Sequence, residues 1–106
     1  MKLFKLADMT KGWFVGHFAP TAFSTSATEV AVKEYAAGDR EDWHYHKIAV
    51  EVTLILSGEV RMNGTHFCAG DIIFIEQGEG TDFEAITAVT TVVTKVPSVG
   101  GDKYYR

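Results

Sequence analysis

Residues Gly38–Gly58 read GDREDWHYHKIAVEVTLILSG, placing His44 and His46 one residue apart and Glu51 five positions further on. Histidine is scarce in this chain, with four in 106 residues, so the pairing needs an explanation. In a strand, residues i and i+2 project to the same face. His44 and His46 therefore share one side, while Trp43 and Tyr45 take the other as outer-face packing. Glu51 sits at an odd offset from His46, which unbroken alternation sends to the opposite face. A corner in Lys47-Ile48-Ala49-Val50 that resets the register brings Glu51 back beside the imidazoles. Two imidazoles and one carboxylate on a common inner face leave coordination positions open, an arrangement that suits Fe(II) and catalytic Zn(II). Without its surroundings, a His-x-His pair on a strand is more often a surface or hydrogen-bonded pair.

Outward from this stretch, nearly every segment reads as strand. Candidates are 12–18, 28–36, 43–46, 50–56, 59–62, 65–68, 71–75, 81–86 and 90–96. Turn signals separate them at Ser57-Gly58, Asn63-Gly64, Ala69-Gly70-Asp71 and Gly78-Glu79-Gly80. Asn63-Gly64-Thr65 also spells a glycosylation acceptor, but Asn-Gly between two short strands is the preferred pair for a two-residue hairpin. No helical period runs through a dozen residues. Short strands punctuated by glycine turns predict an all-β sandwich or barrel, and 106 residues fit one domain. The segments 52–56 and 71–75 are apolar on both faces, which predicts outside cover for a sheet. A second subunit, or the aromatic arm carrying Trp13, Phe14 and Phe18, could supply it, and a homodimer is expected.

Net charge is −4 with scattered lysines and arginines, which argues against a nucleic-acid partner. Lys5, Asp8 and Lys11 interrupt the start before a signal-peptide core can form, and no apolar run approaches a membrane span. The single cysteine, Cys68, rules out an internal disulfide; the chain is expected in the cytoplasm, with Cys68 an inert packed thiol. His17 and His66 have no ligand-like spacing and read as ordinary surface histidines.

The spacing Gly38, His44, His46, Glu51, Gly58 matches the first motif of the cupin family at every defined position. The second motif is matched in part. Gly70 and Gly78 are in place, Glu76 takes the proline slot, and Thr81 stands where a histidine belongs. The chain thus resembles a small single-domain cupin. The resemblance implies a double-stranded β-helix, or jelly-roll barrel, over about residues 28–97, flanked by an arm (1–27) and a tail (98–106). It further implies that His44, His46 and Glu51 bind a divalent metal ion (Fe, Zn, Mn or Ni) at the barrel mouth. Thr81 is a poor substitute ligand, and Asp82, one position later, is the candidate fourth. Glu84, on the same face as Asp82, is a candidate acid or base. The tail GGDKYYR faintly resembles that of small cupins assisting uronate ring opening, which nominates Asp102 and Arg106.

The expected activity is that of a metal-dependent enzyme, an isomerase or lyase, on a small polar metabolite such as a sugar or sugar acid. The alternatives are an Fe(II) dioxygenase and a non-catalytic metal-binding or ligand-binding accessory protein.

Overall fold

In the computed structural model, which describes residues 1–106, Asn63 (φ 47°) and Gly64 (φ 77°) both occupy the left-handed region. This is what a two-residue hairpin between twisted strands requires. The flanking strands pair from Met62 with Thr65 to Glu59 with Cys68. Nine strands are formed in all: β1 (Trp13–Val15), β2 (Glu29–Tyr35), β3 (Arg40–His44), β4 (Val50–Ser57), β5 (Glu59–Met62), β6 (Thr65–Cys68), β7 (Ile72–Ile75), β8 (Thr81–Ala85) and β9 (Val89–Val96). They make two antiparallel sheets, ordered β1-β2-β9-β4-β7 and β3-β8-β5-β6, which is a jelly-roll sandwich. No helix is long and apolar enough to cross a membrane.

Alternation builds the core. Ile55 (β4), Val60 and Met62 (β5), Ile75 (β7), Phe83 and Ala85 (β8) and Val89 (β9) form one buried cluster between the sheets. These strands also carry the opposite, polar end. On β4 the inward positions read Ile55, Thr53, Glu51; on β9 they read Val89, Thr91, Val93, Lys95. The sandwich therefore changes from hydrocarbon to polar interior along single strands, at unchanged period.

Several details differ from the sequence reading. β1 covers three residues only, because its pairing with β2 slips between Trp13 and Val15. β3 begins earlier, at Arg40, and ends at His44. Its pairing with β8 is irregular between Glu41 and His44. Tyr45 pairs instead with Tyr104 of the tail. The aromatic arm lies along β2, at the far edge of its sheet from β7. It therefore leaves the outer face of β4 and β7 open, with Leu56, Ile72 and Phe74 exposed. Cys68 is exposed as well, not packed. The charge of Asp71 beside it raises its thiol pKa, which keeps it a weak nucleophile.

Candidate metal and ligand site

The corner at Lys47–Ala49 is held by the tail. Asp102 is 6% exposed, and its carboxylate accepts the backbone N–H groups of Lys47 (2.9 Å), Ile48 (3.2 and 3.1 Å) and Ala49 (2.9 Å). Burial alone would push this carboxyl up; the three N–H donors and nearby His46 outweigh it and hold Asp102 below the usual range. Two residues on, Tyr104 and Tyr45 exchange backbone hydrogen bonds at 2.9 and 3.0 Å. The tail is a strap across the barrel mouth, and it sets the register that turns Glu51 inward.

The same strap orients a histidine. His46 is buried, and its Nδ1–H donates to the backbone carbonyl of Asp102. His44 Nδ1–H donates to the carbonyl of Asp42 at 3.0 Å. A carbonyl can only accept, so both rings carry a proton on Nδ1, and in the neutral ring Nε2 keeps a lone pair. Burial pushes the His44 pKa down, despite the Asp42 bond, and the charge of Lys103 adds to the fall. His44 therefore stays neutral, the state a metal ligand needs. The two rings meet edge to face, centroids 5.2 Å apart.

Glu51 closes the group. Its Oε1 lies 3.6 Å from His46 Nε2, and its Oε2 accepts the Thr53 hydroxyl at 3.1 Å. Burial would raise its pKa, but contacts with His46 and Thr53 and the charge of Lys95 outweigh that and hold it below the normal range. Nε2 thus faces a carboxylate oxygen across a gap too long for a good hydrogen bond. Metal–N and metal–O bonds of about 2.0–2.2 Å place neighbouring ligand atoms roughly 3–3.5 Å apart. The donors of His46 and Glu51 fit a shared cation, and His44 faces the same cavity. No three His, Cys, Asp or Glu side chains close on one point as they stand.

The remaining candidates are placed as follows. Thr81 is the cross-strand partner of His44 and lines the cavity. Asp82 lines the same cavity from its exposed rim, and its Oδ1 accepts the Asn63 N–H at 2.7 Å. Glu84 faces outward, paired with Arg40 (3.2 Å) and Arg61 (2.8 Å), and does not line the cavity. Asp102 has its carboxylate occupied by the corner. Arg106 stacks on the Trp43 ring at 4.4 Å, outside the barrel.

The cavity encloses about 250 Å³. Its walls include residues that sequence reasoning did not assign to the site: Trp13, Lys33, Tyr35, Glu41 and Thr91. One signal was available. Lys33 and Glu34 are adjacent on β2, so one charged side chain had to face inward. Trp13 is brought to the mouth by Gly12 (φ +84°), where any Cβ would stand 1.9 Å from the Val32 carbonyl oxygen. Only glycine lets the arm lie this close to β2.

No protein-family model matches the sequence, and a search of curated proteins finds no significant match. Among solved structures, a conserved protein with a double-stranded β-helix domain from Klebsiella pneumoniae superposes with a TM-score of 0.69 at 20% identity, over 94% of this chain and 88% of that one. DMSP lyase DddQ from Ruegeria pomeroyi gives a TM-score of 0.70 at 19% identity, over 93% of this chain and 54% of that one. A protein described as a predicted oxalate decarboxylase from Thermotoga maritima gives 0.61 at 26% identity, over 68% of each chain. The chain is a small domain with the double-stranded β-helix fold of the cupins.

Proposed function

We propose that this domain holds a divalent metal ion with His44, His46 and Glu51 and acts as an enzyme on a small polar metabolite such as a sugar or sugar acid. One observation carries the reading. Nε2 of His46 and the Glu51 carboxylate face each other at 3.6 Å in a largely buried site. With its Nδ1–H committed to the Asp102 carbonyl, His46 has Nε2 free to share a bound cation with the carboxylate in place of a proton. Bound there, a divalent ion supplies Lewis-acid polarisation of a substrate oxygen. The chain's own contribution is to fix the ligands: the carbonyls of Asp42 and Asp102 set both tautomers, and the strap sets the corner. Such outer hydrogen bonds raise ligand basicity and hold the ring in place.

The reading assigns three protein ligands. Asp82 is left at the rim with Asn63, Glu84 with its arginines outside, and Asp102 as a positioning residue. The Nε2 atoms turned inward support iron, zinc, manganese and nickel alike. We further propose a homodimer through the open β7 edge and the outer face of Leu56, Ile72 and Phe74. A free edge strand beside an apolar face suits self-pairing about a two-fold axis.

Metal analysis of the protein as purified, followed by titration calorimetry with Zn(II) and Mn(II), tests the centre. About one ion per chain is expected. His46→Ala should weaken binding beyond the 10–100-fold typical of losing an outer partner. A protein that binds no metal, or a variant that binds as before, overturns the assignment. Binding without turnover of any substrate would turn the reading to a non-catalytic binding protein, and oxygen uptake with Fe(II) alone to a dioxygenase. For the dimer, Phe74→Glu should shift size-exclusion elution to the monomer.

A further inference from the structure

Away from His46 and Glu51, the cavity continues between β2 and β9. Lys33 on β2 and Lys95 on β9 point into it, with side chains 20% and 17% exposed. Their ammonium groups lie 5.4 and 5.0 Å from the centroid of the same ring, Trp13. Each lysine has one carboxylate partner: Glu41 at 3.3 Å and Glu29 at 3.1 Å. Both carboxylates are also tied to the wall, Glu41 by the Tyr35 hydroxyl at 3.3 Å and Glu29 by the Ser98 hydroxyl at 2.7 Å. An ammonium group has three donors, so each lysine retains N–H groups for a further acceptor.

Thr91 is the cross-strand partner of Lys33. It is 1% exposed and lines the cavity. Its Oγ1 is the one buried side-chain nitrogen or oxygen atom in the protein without a hydrogen-bond partner. Buried hydroxyls are nearly always satisfied, and an orphan needs an explanation. A purely structural pair of ion pairs needs neither a shared ring nor an unused hydroxyl beside them. Two half-partnered cations and an orphan donor in one wall are what an oxyanion completes.

We infer that Lys33, Thr91 and Lys95, roofed by Trp13, form an oxyanion subsite that takes the carboxylate of an acidic substrate, whose other oxygens reach the centre at His46 and Glu51. The inference rests on the proposed function for that second half only. The site then selects sugar acids or hydroxy acids over their neutral counterparts.

The test is calorimetric binding to the full chain, with and without Mn(II), using glucuronate against glucuronamide, lactate against lactamide, and inorganic phosphate. Each acid should bind at least about tenfold tighter than its amide. Lys33→Met and Lys95→Met should each abolish that preference, weakening acid binding far more than amide binding, and Thr91→Val should reduce it by a smaller factor. If a single variant misfolds by circular dichroism, the pairs Lys33→Met with Glu41→Gln and Lys95→Met with Glu29→Gln remove both charges and carry the same expectation. Acids and amides that bind alike, or a preference that survives the lysine changes, overturn the subsite even if Mn(II) binds. Lysine-dependent binding of phosphate without either acid overturns the carboxylate assignment. Lysine-dependent acid binding with no uptake of Mn(II) sustains the subsite and sinks the metal centre.

Discussion

The two ends of this sandwich are built from the same strands and differ in nearly everything else. At one end Ile55, Val60, Met62, Phe83 and Val89 meet as hydrocarbon. At the other, Glu51, Lys95, His46 and Asp102 are gathered in a polar interior. On β4 the two environments are four residues apart, Ile55 against Glu51. Burial at the first end favours folding by about 25 cal/mol per Å² of apolar surface. Burial at the second opposes it unless every charge finds a partner. The apolar end thus stabilises the domain, and the polar end is tolerated because it is nearly fully bonded.

Substitutions can break this division. Ile55→Ala should cost about 2–5 kcal/mol in urea unfolding and leave metal affinity unchanged while the protein is folded. A cost below about 1 kcal/mol would mean the core lies elsewhere. Asp102→Ala removes the acceptor for three backbone donors and should cost about 2–4 kcal/mol. It should also weaken metal binding, since the corner loses its acceptor and the strap that presents the Asp102 carbonyl to His46 is no longer tied to the corner. Asp102→Asn, which keeps one acceptor oxygen, should lose less of each.

Acid sharpens the contrast. The Asp102 and Glu51 pKa values are both depressed on folding. Their contribution is therefore fully present above their unfolded values of about 4 and is lost as pH falls through the lower folded ones. Stability measured from pH 5 downward should drop, and Asp102→Asn should flatten part of the slope. An unchanged slope would mean that other carboxylates dominate. The smallest effect is expected outside both ends. Glu84→Gln breaks exposed pairs with Arg40 and Arg61 and should change stability by under about 1 kcal/mol. Metal affinity should not move; a fall would bring Glu84 back to the site.

The legibility of the sequence follows the same division. β5 and β6 were readable to the residue, because a two-residue Asn-Gly turn leaves one register. β2, β4, β7, β8 and β9 were readable within a residue or two from short branched and aromatic runs set off by turn signals. β1 and β3 were not, since both have irregular pairing that depends on partners distant in sequence, Val30–Ala31 for one and Thr81–Phe83 for the other. The candidate site divides likewise. The spacing of His44, His46 and Glu51 lies within one short stretch, so local rules reach it. The Lys33, Thr91 and Lys95 wall comes from two separate strands and shows only once β2 and β9 are paired.

From the chain alone came the strand runs, the turns and the spacing of two imidazoles and a carboxylate, because each depends on neighbours a few residues away. Tertiary structure decided which charges face inward, that a tail 56 residues distant holds His46 by a backbone carbonyl, and that Glu84 looks out. Those outcomes depend on pairing between remote segments. Such pairing is selected by the total burial and hydrogen bonding of the whole domain, and no local pattern encodes it.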